Sequence, residues 1–167
     1  MFGKSIAATS VLMLGLTGTA LAQTPSQISQ FNAWGAYSYQ QGKGKVCYVL
    51  SVPVDKQPAK IDHGDNFFMV SQKPGQNVSF EPQFKAGYDL QVNSKVTVTI
   101  DSRSFSMFTN GSHGWMENAA EEPQLVAALR TGHTMSIAAV SKRGTKTSYT
   151  YSLKGVSAAL KAIATCK

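Results

Sequence analysis

Charged residues are scarce in this chain, and cysteine and histidine are rarer still. Lysine, arginine, aspartate and glutamate together make up 15% of its 167 residues, whereas about a quarter is usual in globular domains. The shortage argues against a charged, helical cytosolic protein. Hydrophobic residues nevertheless account for 43% of the chain, which is enough for one domain with a real core.

Long apolar runs are also missing. A membrane-spanning helix needs about 20 consecutive apolar residues, and the longest run, residues 6–16, is shorter. It follows Lys4 and precedes Ala20-Leu21-Ala22. A basic residue, an apolar segment and a small-residue cleavage site are typical of a secretory signal peptide. We therefore expect cleavage after Ala22 and a periplasmic or secreted protein without a transmembrane segment; a buried N-terminal helix is the alternative.

The two cysteines, Cys47 and Cys166, lie far apart in the chain. In an exported protein, two cysteines predict one disulfide bond. So long a loop would gain roughly 5 kcal/mol from the bond in the chain-entropy model. Two separate buried thiols are the alternative. A catalytic thiol is disfavoured because neither cysteine has a histidine nearby in sequence.

The basic residues are scattered, although the formal net charge is +7. Only Lys142, Arg143 and Lys146 cluster, around the glycine of a turn. This pattern is more typical of a solvated hairpin tip than of a nucleic-acid site. We predict no nucleic-acid partner, and at most a weak attraction to anionic lipid or polysaccharide of the envelope.

Short runs of alternating apolar and polar residues predict a β-rich fold. The clearest are residues 96–100, 135–139 and 149–153, each with one buried face. Pro123 and Gly132 suit the first turn and the end of a short helix.

The ending of the chain predicts a second helix. The apolar residues from Val156 to Ile163 recur at helical spacing and would carry Cys166 towards the core. Residues 23–30 are polar and aperiodic, which predicts a flexible leader. We expect residues 31–167 to form one all-β, sandwich-like domain with two short helices, the second at the C-terminus.

Six segments stand in order between residues 33 and 166. They are the Trp34-Gly35 strand, the Lys45-Val46-Cys47 strand, the Pro74-Gly75 loop, the strand of residues 96–101, the helical segment of residues 121–132 and the ending of residues 153–160. Together they resemble the invasion-associated locus B family of bacterial exported proteins. The resemblance implies a β-rich sandwich outside the cytosol and, in pathogenic members, a role linked to host-cell entry.

The family brings no catalytic motif to transfer onto this chain. Many members have a cysteine shortly after the early tryptophan and further cysteines in the middle. Here Gly35, Ala36 and Tyr37 follow Trp34, and the middle contains no cysteine. The additional disulfides of those members are therefore absent from this chain.

One pattern could support catalysis. In Asp62-His63-Gly64-Asp65, a carboxylate beside a histidine could orient the imidazole as a general base. Ser71 would have to be the nucleophile, but no nucleophile-elbow motif surrounds it. A loop in which the aspartates bind their own backbone is favoured instead, so we predict no catalytic residue and no cofactor.

The histidines also give no metal-site pattern. His63, His113 and His133 are far apart and lack the short ligand spacings of metal sites. We therefore predict no metal.

Aromatic residues are the best indication of function. Phe80, Phe84 and Tyr88 lie in the least regular stretch, broken by Pro82 and Gly87, and are the candidate interaction surface. We predict a non-enzymatic protein that contacts an unknown envelope or host-surface component. The alternatives are a small-ligand binder with an apolar cavity between its sheets and, less favoured, a hydrolase using His63.

Overall fold

The computed structural model describes residues 24–42 and 44–166. The predicted signal peptide, residues 1–22, lies outside the described residues. The strands are β1 Ser26–Phe31, β2 Trp34–Gln41, β3 Gly44–Ser51, β4 Asp55–Gln57, β5 Phe67–Lys73, β6 Val78–Lys85, β7 Lys95–Ile100, β8 Arg103–Asn110, β9 His113–Met116, β10 Thr134–Val140 and β11 Lys146–Ser152. The helices are α1 Glu122–Thr131 and α2 Val156–Ile163, with single 3₁₀ turns at Pro74–Gln76 and Ala119–Glu121.

The described strands form one antiparallel sheet, in the order β1-β2-β3-β5-β6-β9-β8-β7-β10-β11-β4. The sheet curls so that its inner face meets itself. The indole Nε1 of Trp34 on β2 donates to the carbonyl of Ser152 at the end of β11 (2.9 Å). The ring centroid of Phe68 on β5 is 6.4 Å from those of Trp34 and Tyr151. The predicted sandwich-like all-β fold with two helices is confirmed.

The C-terminal helix packs as its spacing predicts. Its buried side chains are Val156, Ala159, Leu160 and Ile163, and they face strands β1 to β3. Helix α1 lies against β6 and α2. The Ser157 hydroxyl donates to the carbonyl of Arg130 (2.8 Å), which joins the two helices.

Cys47 on β3 and Cys166, just beyond α2, form a disulfide with their Cα atoms 6.0 Å apart. The predicted pairing is confirmed, and the alternative of two separate thiols is wrong. The bond fastens the end of α2 to a central strand of the sheet.

The polar residues before Phe31 are not the irregular leader that the sequence predicts. Ser26–Phe31 forms β1, an edge strand paired with β2, with a bulge between Gln27 and Ser29. Asn32, at a φ of 52°, takes the left-handed conformation that a tight hairpin turn requires. An edge strand is held by backbone hydrogen bonds, and here also by the partly buried Phe31. It does not need alternating apolar and polar residues, so the sequence carries no pattern that predicts it.

Candidate interaction surface

Phe84 is fully buried, with its ring centroid 5.7 Å from that of Tyr149. The predicted exposure of Phe84 is therefore wrong. Pro82 and Gly87 suggested irregular backbone, but β6 is a regular strand at Phe84. Strand β9 pairs only with residues 83–85, so no neighbour on that side needs an amide hydrogen from Pro82.

Phe80 and Tyr88 are half-buried and lie in different places. The Phe80 ring lies 5.3 Å from the guanidinium carbon of Arg130, beside a cleft of about 480 Å³ against α1. The Tyr88 hydroxyl lies 2.6 Å from the Thr147 hydroxyl and 2.7 Å from that of Tyr149. The three predicted residues therefore do not form one surface.

His63 is buried, and its role is structural. Its Nε2 lies 2.9 Å from the Pro58 carbonyl, which can only accept, and its Nδ1 lies 3.0 Å from the Tyr149 hydroxyl. Asp62 accepts a hydrogen bond from the amide of Gly64 instead (2.8 Å). Ser71 is not a hydrogen-bond partner of the ring. The imidazole thus joins the loop before β5 to strand β11.

The Tyr149 hydroxyl stays protonated in this network. Burial, and then the hydrogen bond with Tyr88, raises the pKa of Tyr149 far above its usual range. A protonated Tyr149 can donate to Nδ1 of His63, since Nε2 carries the hydrogen that faces the Pro58 carbonyl.

Two further features are missing from residues 24–42 and 44–166. In this part of the chain, no group of three or more His, Cys, Asp or Glu side chains is arranged to hold a metal ion. Nor does any helix there have the length and apolar character needed to cross a bilayer.

A row of side chains crosses the solvent-facing side of the sheet. Leu50, Met69, Gln83, Trp115 and Phe108 are direct cross-strand neighbours on β3, β5, β6, β9 and β8. We call these five residues the outer row. Four are partly exposed and Phe108 is 47% exposed. At about 4.8 Å between strands, the row is about 19 Å long.

Two shorter rows flank the outer row on the same face, two residues away along each strand. One contains Tyr37, Tyr48, Ser71 and Glu81. The other contains Phe67, Lys85, His113 and Asn110. This face therefore carries both aromatic rings and hydrogen-bonding groups.

Three rings are stacked at the β8–β9 end of the face. The Phe108 and Trp115 centroids are 5.9 Å apart at an interplanar angle of 26°. Those of Trp115 and His113 are 5.3 Å apart at 23°. Burial, and then the charge of Lys85, lowers the pKa of His113, so the imidazole is neutral at neutral pH and the stack carries no charge there.

A depression of about 390 Å³ lies beside the Phe108 and Trp115 rings. Its other walls include Asn110, Glu81 and Glu122. Glu81 is ion-paired with Lys73. Burial, and then the charge of Glu81, raises the pKa of Glu122. The depression therefore combines aromatic walls with a rim of carboxylate and amide groups.

Sequence reasoning missed the outer row as a unit. Its members come from five strands and are neighbours only through strand pairing. The available signal was local: Tyr48 with Leu50, Phe67 with Met69, and His113 with Trp115 each recur at a spacing of two. A spacing of two shows that residues share a face, but it does not show which strands lie side by side.

Most of the chain matches a known protein family. The family model described as "Invasion associated locus B (IalB) protein" matches residues 34–164. No curated protein and no solved structure matches the chain.

Proposed function

Because the chain belongs to the invasion-associated locus B family, we propose that it is an exported protein, periplasmic or secreted, that acts by surface contact rather than by catalysis. The signal peptide predicted at residues 1–22 supports export. The Cys47–Cys166 bond supports an oxidising destination, since disulfides are rare in the cytosol.

The observation that carries the proposal is the outer row. The outward face of an antiparallel sheet is usually polar, yet leucine, methionine, tryptophan and phenylalanine stand on it here. The core does not need them, because the inner face is filled by other side chains. Apolar side chains grouped on a partly exposed face can mark an interaction site, and aromatic residues and methionine are enriched in such sites. The partner we propose is a component of the envelope or of a host surface.

The two alternatives find less support. A hydrolase would need His63 beside a nucleophile, but its ring is engaged by Tyr149 and a backbone carbonyl. A small-ligand binder would need an apolar cavity between the curled layers. Trp34, Phe68 and Tyr151 are fully buried there and pack against one another.

Co-sedimentation with envelope fractions and with intact cells tests this function. The double variant Phe108→Ser/Trp115→Ser removes two rings of the outer row. The matched control, Val54→Ser/Val92→Ser, removes apolar side chains that are 67% and 74% exposed outside the row. We expect the row variant to bind about tenfold more weakly and the control to bind like the parent protein. Equal binding by all three, with unfolding midpoints unchanged, would contradict the proposal.

A further inference from the structure

The shape of the outer face limits what it can bind. The outer row is about 19 Å long, and the flanking rows lie about 7 Å to each side. The strip therefore covers roughly 300 Å², whereas a stable protein complex needs about 800 Å² from each partner. A long, narrow partner fits the strip better than a second folded domain.

The position of the strip excludes the usual way of binding an extended peptide. Such peptides commonly add a strand at a sheet edge, where backbone groups are free. The outer row lies in the middle of the sheet, where its strands are paired on both sides. Recognition here must come from side chains alone.

The side chains of the strip suit a sugar chain. A pyranose ring has an apolar C–H side, which can pack on the solvent-exposed parts of the Trp115 and Phe108 rings. Its rim of hydroxyls both donates and accepts hydrogen bonds. The side-chain amides of Gln83 and Asn110 can likewise donate and accept hydrogen bonds, and the Glu81 and Glu122 carboxylates can accept them.

The charges around the aromatic stack are largely compensated, despite the basic character of the whole chain. Glu81 pairs with Lys73, and Glu117 pairs with Lys95 at 2.9 Å. Glu122 adds a carboxylate on one side of the stack and Lys85 adds a cation on the other. Such a surface attracts a polyanion only weakly.

From these contacts we infer that the outer row binds an uncharged, extended glycan, laid along the row with its sugar faces on Trp115 and Phe108. A β-1,4-linked hexose chain has the straight, ribbon-like shape that the row requires. The inference rests on the function proposed above and names the partner of the same surface.

Tryptophan fluorescence provides the test. Trp34 is fully buried and Trp115 is partly exposed, so a ligand on the outer row changes the signal of Trp115. The oxidised mature chain is titrated with cellohexaose and chitohexaose. Maltohexaose, which is coiled, and the hexamer of galacturonic acid, which is anionic, serve as comparison probes.

We expect a saturable change with at least one of the two β-1,4 hexamers, with a dissociation constant about tenfold lower than for either comparison probe. Phe108→Ser and Gln83→Ala should each weaken binding about tenfold, while Val92→Ser should leave it unchanged. Gln83→Ala removes no ring, so it keeps the test valid if Phe108→Ser fails to fold.

Two results would overturn the inference. One is no change with either β-1,4 hexamer up to about 1 mM. The other is tighter binding of the charged hexamer. If envelope binding still depends on Phe108 and Trp115 in either case, the surface function stands and the partner is not an uncharged glycan. If envelope binding is independent of the row, the proposed function itself fails.

Discussion

Phe80 and Phe84 lie four residues apart on β6, yet their surroundings are opposite. Phe84 is fully buried against Tyr149. Phe80 is half-buried, has a φ of 54° and lies over Arg130. The pairing of β5 with β6 shifts between Ser71 and Lys73, which places Phe80 within a bulge and leaves Phe84 in the regular part of the strand. Positive φ is rare for an aromatic residue, and the bulge redirects Phe80 towards α1.

These surroundings predict different costs of truncation. Phe84→Ala should lower the free energy of unfolding by about 3–5 kcal/mol, because it leaves a cavity in the core. Phe80→Ala should cost less than half as much, since part of that ring is already in water. Urea unfolding of both variants, followed by tryptophan fluorescence and circular dichroism, provides the comparison. Equal losses would mean that Phe84 is no better packed than Phe80.

At the scale of elements, Gly155 controls how β11 leads into α2. Its φ is 96°, and a Cβ built on it would lie only 1.9 Å from the carbonyl oxygen of Phe31. The amide of Ala33 donates to the carbonyl of Lys154 close by (3.3 Å). The first hairpin and the start of α2 therefore touch through their backbones, and only glycine fits there.

Gly144 offers a matched control for Gly155. It also has a positive φ, 84°, but a Cβ there would meet nothing within 4 Å. Gly144→Ala should cost about 1–2 kcal/mol through backbone strain alone. Gly155→Ala should cost clearly more, because the backbone of β1 or α2 must move as well. Chemical denaturation of the two variants measures the difference, and equal losses would show that the contact with Phe31 yields easily.

The elements that could be predicted from the sequence are those that form because of local residue patterns. Tyr149, Tyr151 and Leu153 alternate, and Val156, Ala159, Leu160 and Ile163 follow at helical spacing; both patterns are buried as expected. Strand β1 was not predictable, because it depends on β2 for its hydrogen bonds. The outer row was not predictable either, because strand order is decided by long-range pairing.

The same difference between local and long-range causes applies to single residues. Cys47 and Cys166 could be paired because the chain contains no other cysteine. The role of His63 could not be foreseen, because its partner Tyr149 is 86 residues away. Local composition identified an unusual loop, but only the fold shows that its histidine holds the loop against strand β11.

At the scale of the whole molecule, the two ends of the described domain meet in the curled sheet. Trp34 near the start of the domain donates to Ser152 near its end. The disulfide joins residues 119 apart in sequence, so it restricts most of the unfolded chain. Cys47 is buried, which shields this end of the bond from reductants while the protein is folded.

Removal of the disulfide should therefore weaken the fold without abolishing it. The double variant Cys47→Ala/Cys166→Ala should lose up to roughly 5 kcal/mol of the free energy of unfolding, through the greater entropy of the unfolded chain. The buried Leu160 and Ile163 still hold α2 against the sheet, so a folded state should persist. Guanidinium unfolding of the oxidised parent protein and of the variant gives the difference in stability.

Amide hydrogen exchange distinguishes this loss of global stability from a local loosening of α2. Helix α2 ends three residues before Cys166, whereas α1 has no covalent tie to the sheet beyond the chain itself. In the variant, the amides of α2 should exchange faster than those of α1, relative to the oxidised protein, because the end of α2 loses its anchor. Equal acceleration in both helices would mean that the bond acts only on the unfolded chain. Unchanged stability would mean that the packing of α2 suffices to hold the end of the domain in place.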